Sequence, residues 1–100
     1  MRAKTRKLKI SDEVVNLIRG MHPLLKKKVR AALDEILNNS SAGKALRREL
    51  EGLSSLRVGQ LRIIYRVTSQ EYIEIVAIGP RKVIYEETYR LIKKSQKSQV

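Results

Sequence analysis

Residues 53–80, which read LSSLRVGQLRIIYRVTSQEYIEIVAIGP, decide the fold of this 100-residue chain. Apolar and polar side chains alternate along much of this stretch, a pattern that is typical of β-strands buried on one face. Gly59 and Gln60 separate the first two apolar runs, and glycine at the first central position is what a type II′ hairpin turn requires. The stretch therefore predicts three consecutive antiparallel strands.

The turn at Gly59 fixes the register of the first hairpin. Counting outward from it sets Arg57 directly opposite Arg62 on the neighbouring strand. The other pairs of this hairpin are Val58 with Leu61, Leu56 with Ile63, and Ser55 with Ile64. Two like charges at such a position repel each other, and an acid at one of them would be more stable. An anion bound between the two arginines would relieve this repulsion.

A second turn, at residues 68–71, sets the register of the third strand. Pairing Arg66 with Glu74 makes one face uniformly apolar and sets Ile63 opposite Ala77, whereas a slip by one residue would turn Glu74 toward the core. We expect seven residues on the apolar face: Leu56, Val58, Leu61, Ile63, Tyr65, Ile75 and Ala77. The opposite, open face carries Ser55, Arg57, Arg62, Ile64, Arg66 and Glu74, and the basic groove is expected on or beside it.

Two helices are predicted before the sheet. Ser11 can cap a first helix that runs to about Arg19, and Pro23 suits the first turn of a second helix that stops at residues 38–41. The first helix has an apolar stripe of Val14, Val15, Leu17, Ile18 and Met21. These stripes can cover the apolar face of the sheet.

The remaining segments complete an α+β fold in one domain over residues 1–94. Residues 4–10 are predicted as a short edge strand, and residues 42–52 as a single helical turn or an irregular loop. Residues 82–94 could form a short C-terminal helix, and residues 95–100 are expected to be disordered. The fold is thus two N-terminal helices packed on a small, mainly antiparallel sheet.

Charge and composition narrow the classes of function. Lys and Arg number 22 against 10 Asp and Glu, which gives a net charge of +12 at pH 7. Such an excess favours a polyanionic partner, which can be nucleic acid, an acidic protein segment or anionic lipid. The only aromatic residues are four tyrosines, which argues against a base-stacking platform and favours contact with the nucleic-acid backbone.

The chain contains no cysteine, which excludes disulfides, thiolate metal sites and thiol nucleophiles. Its single histidine, His22, has no ligand partner in the sequence, so no metal site is expected. No apolar run approaches the roughly 20 residues that cross a bilayer. These features lead us to expect a cytoplasmic protein.

The candidate site is a group of arginines at one end of the open face. The predicted register brings Arg81 level with the Gly59 turn, beside Arg57 and Arg62. An arginine can donate two parallel N–H bonds to phosphate oxygens, so we expect this group to bind phosphate. Tyr85 is a second candidate, because a phenol among cations can accept a ribose hydroxyl proton or position it. The alternative reading is solvated surface arginines and a tyrosine of the core.

Two segments resemble the RelE/ParE superfamily of bacterial and archaeal toxins. They are GKALRRELEGLSSLRVGQLRIIYRV at residues 43–67 and IVAIGPRKVIYEE at residues 75–87. The most specific motifs within them are L-R-V-G-x-L-R-I-I-Y-R-V at 56–67 and G-x-R-x-x-x-Y at 79–85. The resemblance implies a type II toxin of RelE-like fold.

The RelE-like branch cuts mRNA in the ribosomal A site, whereas the ParE-like branch poisons DNA gyrase. For the RelE-like activity, the resemblance implies that Arg62 and Arg81 hold the scissile phosphate, that Arg57 supplies a further cation, and that Tyr85 handles or positions the proton. Relatives with well-described activity carry a second basic residue where this chain has Ser55.

The resemblance also implies the partners of the chain. They are a cognate acidic antitoxin and mRNA on the ribosome, with no metal or small cofactor. Further RNA contacts are expected from Lys44, Arg47, Arg48, Arg66 and Lys82. The sequence therefore predicts a ribosome-dependent mRNA endonuclease, with a gyrase inhibitor or a non-catalytic RNA-binding module as the alternatives.

Overall fold

A five-stranded sheet and two helices form the framework of the protein. The computed structural model describes residues 6–80, 84–85 and 88–93, without the side chain of Glu49. The strands are β1 (Lys7–Ile10), β2 (Lys44–Ala45), β3 (Ser54–Val58), β4 (Leu61–Val67) and β5 (Tyr72–Pro80). The helices are α1 (Asp12–Arg19) and α2 (Pro23–Asn38), with a 3₁₀ turn at Arg48–Leu50. Residues 84, 85 and 88–93 are also helical.

Both helices begin where the sequence predicts. The hydroxyl of Ser11 accepts a hydrogen bond from the backbone N–H of Val14 and so caps α1. Pro23 occupies the first turn of α2, where its missing N–H removes no helical bond. A proline at that point also favours a separate second helix over continuation of the first, because the residue before a proline disfavours helical backbone.

The strands lie in the order β1-β5-β4-β3-β2. All neighbours are antiparallel except β1, which runs parallel to β5 at one edge. The first hairpin has the predicted register, and Arg57 is opposite Arg62. Gly59 has a φ of 61° while Gln60 stays at negative φ, which is the combination of a type II′ turn.

The second hairpin departs from the prediction because β5 contains a bulge. The pairs of Tyr65, Arg66 and Val67 are as predicted. Beyond Tyr65 the register shifts, and Ile64 pairs with Ala77 and Ile63 with Ile78. The prediction that Ile63 faces Ala77 was therefore wrong. Every residue around the shift is apolar, so alternation in the sequence carries no sign of the extra residue.

Residues 42–52 combine the predicted helical turn with a strand that the sequence did not indicate. Lys44 and Ala45 pair with Ser55 and Ser54 of β3 and form the second edge of the sheet. Two residues are too few to show a period. The edge strand predicted over residues 4–10 is confirmed by β1.

The helices α1 and α2 cover one face of the sheet. Val14 of α1 is buried against it. The buried residues of this core are Val14, Val29, Ala32, Leu33, Ile36, Val58, Ile63, Tyr65, Ile73, Ile75 and Ile78. Ala77, predicted for this face, is on the other one because of the bulge. Leu17 is 47% exposed, because only Val14 and Ile18, which are four residues apart on α1, face the sheet.

The second face of the sheet is not open, which corrects the expectation of an uncovered basic face. Helical residue Ile84 is buried against Ile64 and Ala77, together with Leu53. The partly buried residues packed around them are Leu46, Leu50, Val76, Tyr85 and Ile92. The arginine end of this face therefore borders an apolar cluster. In the described part of the chain, no helix is long and apolar enough to cross a membrane.

Candidate functional site

Two arginines face each other at the end of the second face, next to the β3–β4 turn. Arg57 of β3 and Arg62 of β4 are directly opposite, so both side chains are on the same face. On its other side Arg62 is opposite Gly79 of β5. A Cβ at Gly79 would lie 3.0 Å from Cδ1 of Ile84. Across the three strands, Arg57 and Arg62 are thus followed by Gly79, where Ile84 of the helical segment packs directly against the backbone of β5.

Arg62 is half-buried, and its guanidinium is only partly engaged. One terminal nitrogen, Nη1, donates to Oγ of Ser55 at 3.4 Å. Its Nε is buried and has no hydrogen-bond partner among the described residues. A buried donor without a partner lowers the stability of a protein by about 1–3 kcal/mol. A hydrogen bond from this nitrogen to an anionic oxygen of a ligand would remove that penalty.

Arg57 is exposed and leans toward the turn. Its Nε donates to the carbonyl oxygen of Gly59 at 3.2 Å. An ion pair joins Arg66 to Glu74, at 2.7 Å, and no ion pair between described residues includes Arg57 or Arg62. Neither member of the Arg57–Arg62 pair is therefore neutralised by a carboxylate in that part of the chain, and both charges can act on a ligand.

Tyr85 belongs to the same site. It is half-buried in the helical segment that covers the second face, and its hydroxyl donates to Oγ of Ser55 at 3.3 Å. Tyr85 and Arg62 therefore lie near each other, because Ser55 contacts both of them.

Ser55 is the site residue that the sequence reasoning missed. It is 2% exposed and lies between Arg62 and Tyr85. The resemblance drew attention only to the basic residue that relatives carry at this position. Its place on the same face as Arg57, two residues along β3, was the available signal.

The predicted RNA-binding residues are not all at this end of the sheet. Lys44 of β2 is exposed and pairs with Ser55 of β3, which is two residues along the strand from Arg57. Arg47 and Arg48 are exposed just beyond β2. Arg66 is four residues along β4 from Arg62, about 13 Å away, and its guanidinium is held by Glu74. Arg81 and Lys82 lie outside the described residues.

A buried tyrosine holds the segment that precedes Lys44. Tyr65 is fully buried in the core, as predicted. Its hydroxyl donates to the carbonyl oxygen of Ser40 at 2.8 Å and accepts from the N–H of Gly43 at 2.9 Å. A Cβ at Gly43 would lie 2.7 Å from that hydroxyl and 2.9 Å from the carbonyl oxygen of Ser55. Only glycine allows β2 to approach β3 this closely.

The site combines two cations with two hydroxyl groups beside an apolar cluster. Guanidiniums bind phosphate oxygens with paired hydrogen bonds, and a partly desolvated setting strengthens them. Within the described segments, no three His, Cys, Asp or Glu side chains are grouped so that they could hold a metal ion. The arrangement can therefore bind a phosphodiester and stabilise negative charge that develops on it.

Comparison with known proteins places this chain among the toxins of type II toxin–antitoxin systems. The family described as ParE toxin of type II toxin-antitoxin system, parDE, matches residues 7–85. The chain therefore belongs to this family, within the RelE/ParE superfamily that its sequence motifs resemble. A comparison with curated protein sequences gives no match.

Solved toxin structures share the fold at low sequence identity. A chain of the toxin–antitoxin complex RelBE2 from Mycobacterium tuberculosis is 23% identical, with a TM-score of 0.67 over 78% of this chain and 100% of that one. A free-state mutant of the E. coli toxin RelE is 16% identical, with a TM-score of 0.65 over 87% and 93% of the two chains. The archaeal RelE–RelB complex from Pyrococcus horikoshii gives 22% identity and a TM-score of 0.63, over 78% and 97%. These matches confirm the RelE-like α+β fold.

Proposed function

We propose that this toxin is a ribosome-dependent endonuclease that cuts mRNA and so inhibits translation. The observation that supports this most is the cross-strand pair of Arg57 and Arg62, with the buried Nε of Arg62 unpartnered. Two like charges opposite each other in a hairpin cost stability, and within the described segments no carboxylate offsets that cost. A bound phosphodiester would offset it. Binding of RNA therefore accounts for two arginines at positions where they repel each other.

In the proposed reaction the ribose 2′-oxygen attacks the adjacent phosphorus. The 2′-O–P bond forms and the P–O5′ bond breaks, which leaves a cyclic phosphate and a free 5′-hydroxyl. A net transfer of one proton from the 2′-hydroxyl to the departing 5′-oxygen balances the step, and no metal is needed. Arg57 and Arg62 stabilise the charge on the phosphoryl oxygens. We assign the same role to Arg81, and Tyr85 holds the 2′-hydroxyl in line for attack.

The proposal includes two macromolecular partners. The ribosome presents the mRNA in a cleavable conformation, and Lys44, Arg47, Arg48, Arg66 and Lys82 contact the RNA backbone. An acidic antitoxin is the second partner, since the similar chains in RelBE2 and the archaeal RelE–RelB structure are in complexes with antitoxins. A net charge of +12 gives such a partner strong electrostatic attraction.

The test is to add purified protein to a translating extract and map the mRNA ends. We expect cuts only in translated message, with cyclic phosphate ends. Arg62→Ala should slow cutting at least about 100-fold, since it removes a preorganised donor from the transition state. Arg30→Ala removes the same charge from the exposed surface of α2 and should cut like wild type. Intact message with the wild-type protein would overturn the proposal, and salt-sensitive RNA binding without cuts would select a non-catalytic RNA-binding module.

Inhibition of DNA gyrase is the second candidate, because the matching family is described as ParE toxin. Under this reading the arginine pair is part of a protein-binding surface. Cleaved DNA would accumulate in covalent complexes with gyrase after addition of the toxin, while mRNA stays intact. Measuring both products in parallel reactions separates the two functions.

A further inference from the structure

The hydroxyl of Ser55 joins two elements of the site that are far apart in the chain. Arg62 is on β4 and Tyr85 is in the helical segment after β5, and both donate hydrogen bonds to Oγ of Ser55. The serine is almost fully buried, at 2% exposure. Its side chain is therefore shielded from solvent and lies between the guanidinium of Arg62 and the phenol of Tyr85.

We propose that Ser55 is a positioning residue that holds the guanidinium of Arg62 and the phenol of Tyr85 in one arrangement around the phosphate. The role in cleavage rests on the proposed function above. The arrangement itself does not, because it can be measured in the protein without RNA.

The hydroxyl suits this role because of its charge and its lone pairs. A serine oxygen is neutral and can accept two hydrogen bonds, which matches the two donors that converge on it. A carboxylate at the same place would pair with Arg62 and neutralise the charge that the ligand needs. A lysine would add a second cation against Arg62 and could accept no bond. Serine orients the guanidinium and leaves its charge available.

The backbone of Ser55 is itself held firmly. Lys44 of β2 pairs with Ser55, and Gly43 approaches so closely that a Cβ would be 2.9 Å from the Ser55 carbonyl oxygen. On the other side Ser55 is opposite the fully buried Ile64. A hydroxyl fixed between two strands can position its neighbours, whereas a hydroxyl on a mobile loop could not.

The two hydrogen bonds are long, at 3.4 and 3.3 Å, and the usual range ends near 3.2 Å for N–H donors and 3.0 Å for O–H donors. Such contacts commonly shorten when substrate completes a site. The Nε of Arg62, which has no partner within the described segments, gives the phosphate a donor on the same guanidinium. We therefore expect ligand binding to draw Arg62 and Tyr85 closer to Ser55.

The first experiment is a double-mutant cycle on single-turnover mRNA cleavage. Ser55→Ala and Tyr85→Phe should each slow the reaction by about tenfold or more, with little change in ribosome affinity. The double variant should be less slow than the product of the two single losses, because both changes remove the contact between Ser55 and Tyr85, while each also removes a contact of its own. Ser54→Ala, which deletes the neighbouring hydroxyl from β3, is the matched control and should cut at the wild-type rate. Fully additive losses, or an unchanged rate for Ser55→Ala, would overturn the proposal.

The second experiment needs no activity and follows the Nε–H signal of Arg62 by ¹⁵N NMR. Ser55→Ala and Tyr85→Phe should both shift this signal in the RNA-free protein, and Ser54→Ala should leave it in place. If Ser55→Ala fails to fold, Tyr85→Phe still tests the arrangement. An unmoved signal in the folded variants would refute the role of Ser55. A shifted signal in a protein that cuts no mRNA would refute only the proposed function.

Discussion

Arg57 and Arg62 repel each other across the β3–β4 hairpin, and within the described residues no carboxylate offsets the repulsion. Arg57→Glu should convert the repulsive pair into an attractive one and raise the free energy of unfolding by up to about 1 kcal/mol. The melting temperature would then rise by several degrees in a chain of this size. The same change should abolish mRNA cleavage, because it neutralises Arg62.

The control for this prediction is Lys28→Glu, which makes the same change of charge on the exposed surface of α2. It should alter neither stability nor cleavage to a comparable degree. Thermal unfolding and end mapping on the same preparations provide both readouts. A less stable Arg57→Glu protein would show that the repulsion is already relieved by solvent.

Gly43 gives a second prediction for a single residue. A Cβ there would lie 2.7 Å from the hydroxyl of Tyr65, which would break the bonds of Tyr65 to Ser40 and Gly43. Gly43→Ala should therefore destabilise the protein by about 1–3 kcal/mol, measured by urea unfolding. Gly20→Ala is the matched control, since its nearest atoms are 3.8 Å away and its φ is −82°. That variant should be as stable as wild type or slightly more stable.

For single residues, the sequence predicted the positions that follow from counting along the strands. It did not predict the roles that depend on tertiary contacts. The type II′ turn at Gly59 placed Arg57 and Arg62 opposite each other by counting alone. Tyr65 was predicted for the core from its parity. The contacts of Ser55 depend on where a helical segment 30 residues later packs, and a serine in a strand has no local pattern that reveals this.

Among the secondary-structure elements, the 3₁₀ turn between β2 and β3 contains a strained residue. Arg48 has a backbone φ of 61°, which residues other than glycine rarely adopt. Arg48→Gly should therefore raise the free energy of unfolding by about 1 kcal/mol. Arg47→Gly is the control, because Arg47 has an extended backbone with φ of −128° and gains nothing from glycine. Denaturant titration of both variants tests the prediction, and equal stability changes would contradict it.

The helices and the first hairpin could be predicted as elements, whereas the bulge in β5 could not. Capping by Ser11, Pro23 at the start of α2 and Gly59 in the turn are local signals. The bulge after Ile75 arises where the strand is apolar on both faces, because the C-terminal helical residues cover the second face. That covering is a tertiary event, and without it the sequence pattern favoured a regular ladder.

For the whole molecule, the net charge of +12 predicts that RNA binding weakens steeply with salt. Four to six phosphate contacts would give a slope of about −3 to −4 in a plot of log K against log salt, for a single strand. Lys44→Ala should make this slope shallower by about 0.7, while Lys28→Ala should leave it unchanged. Fluorescence anisotropy with a short labelled RNA measures the slope. Equal effects of the two variants would show that RNA binds without a preferred surface.

The sheet order also determines when the fold of this toxin can be completed during its own synthesis. β1 is made first, yet among the described strands it pairs only with β5, about 65 residues later in the chain. Pairings of such long range form late in folding. In a nascent chain that still lacks β5, β1 is unpaired and α1 has no β5 to pack against. Under the proposed function, the ribosome that translates the toxin would not be attacked until β5 has left the exit tunnel.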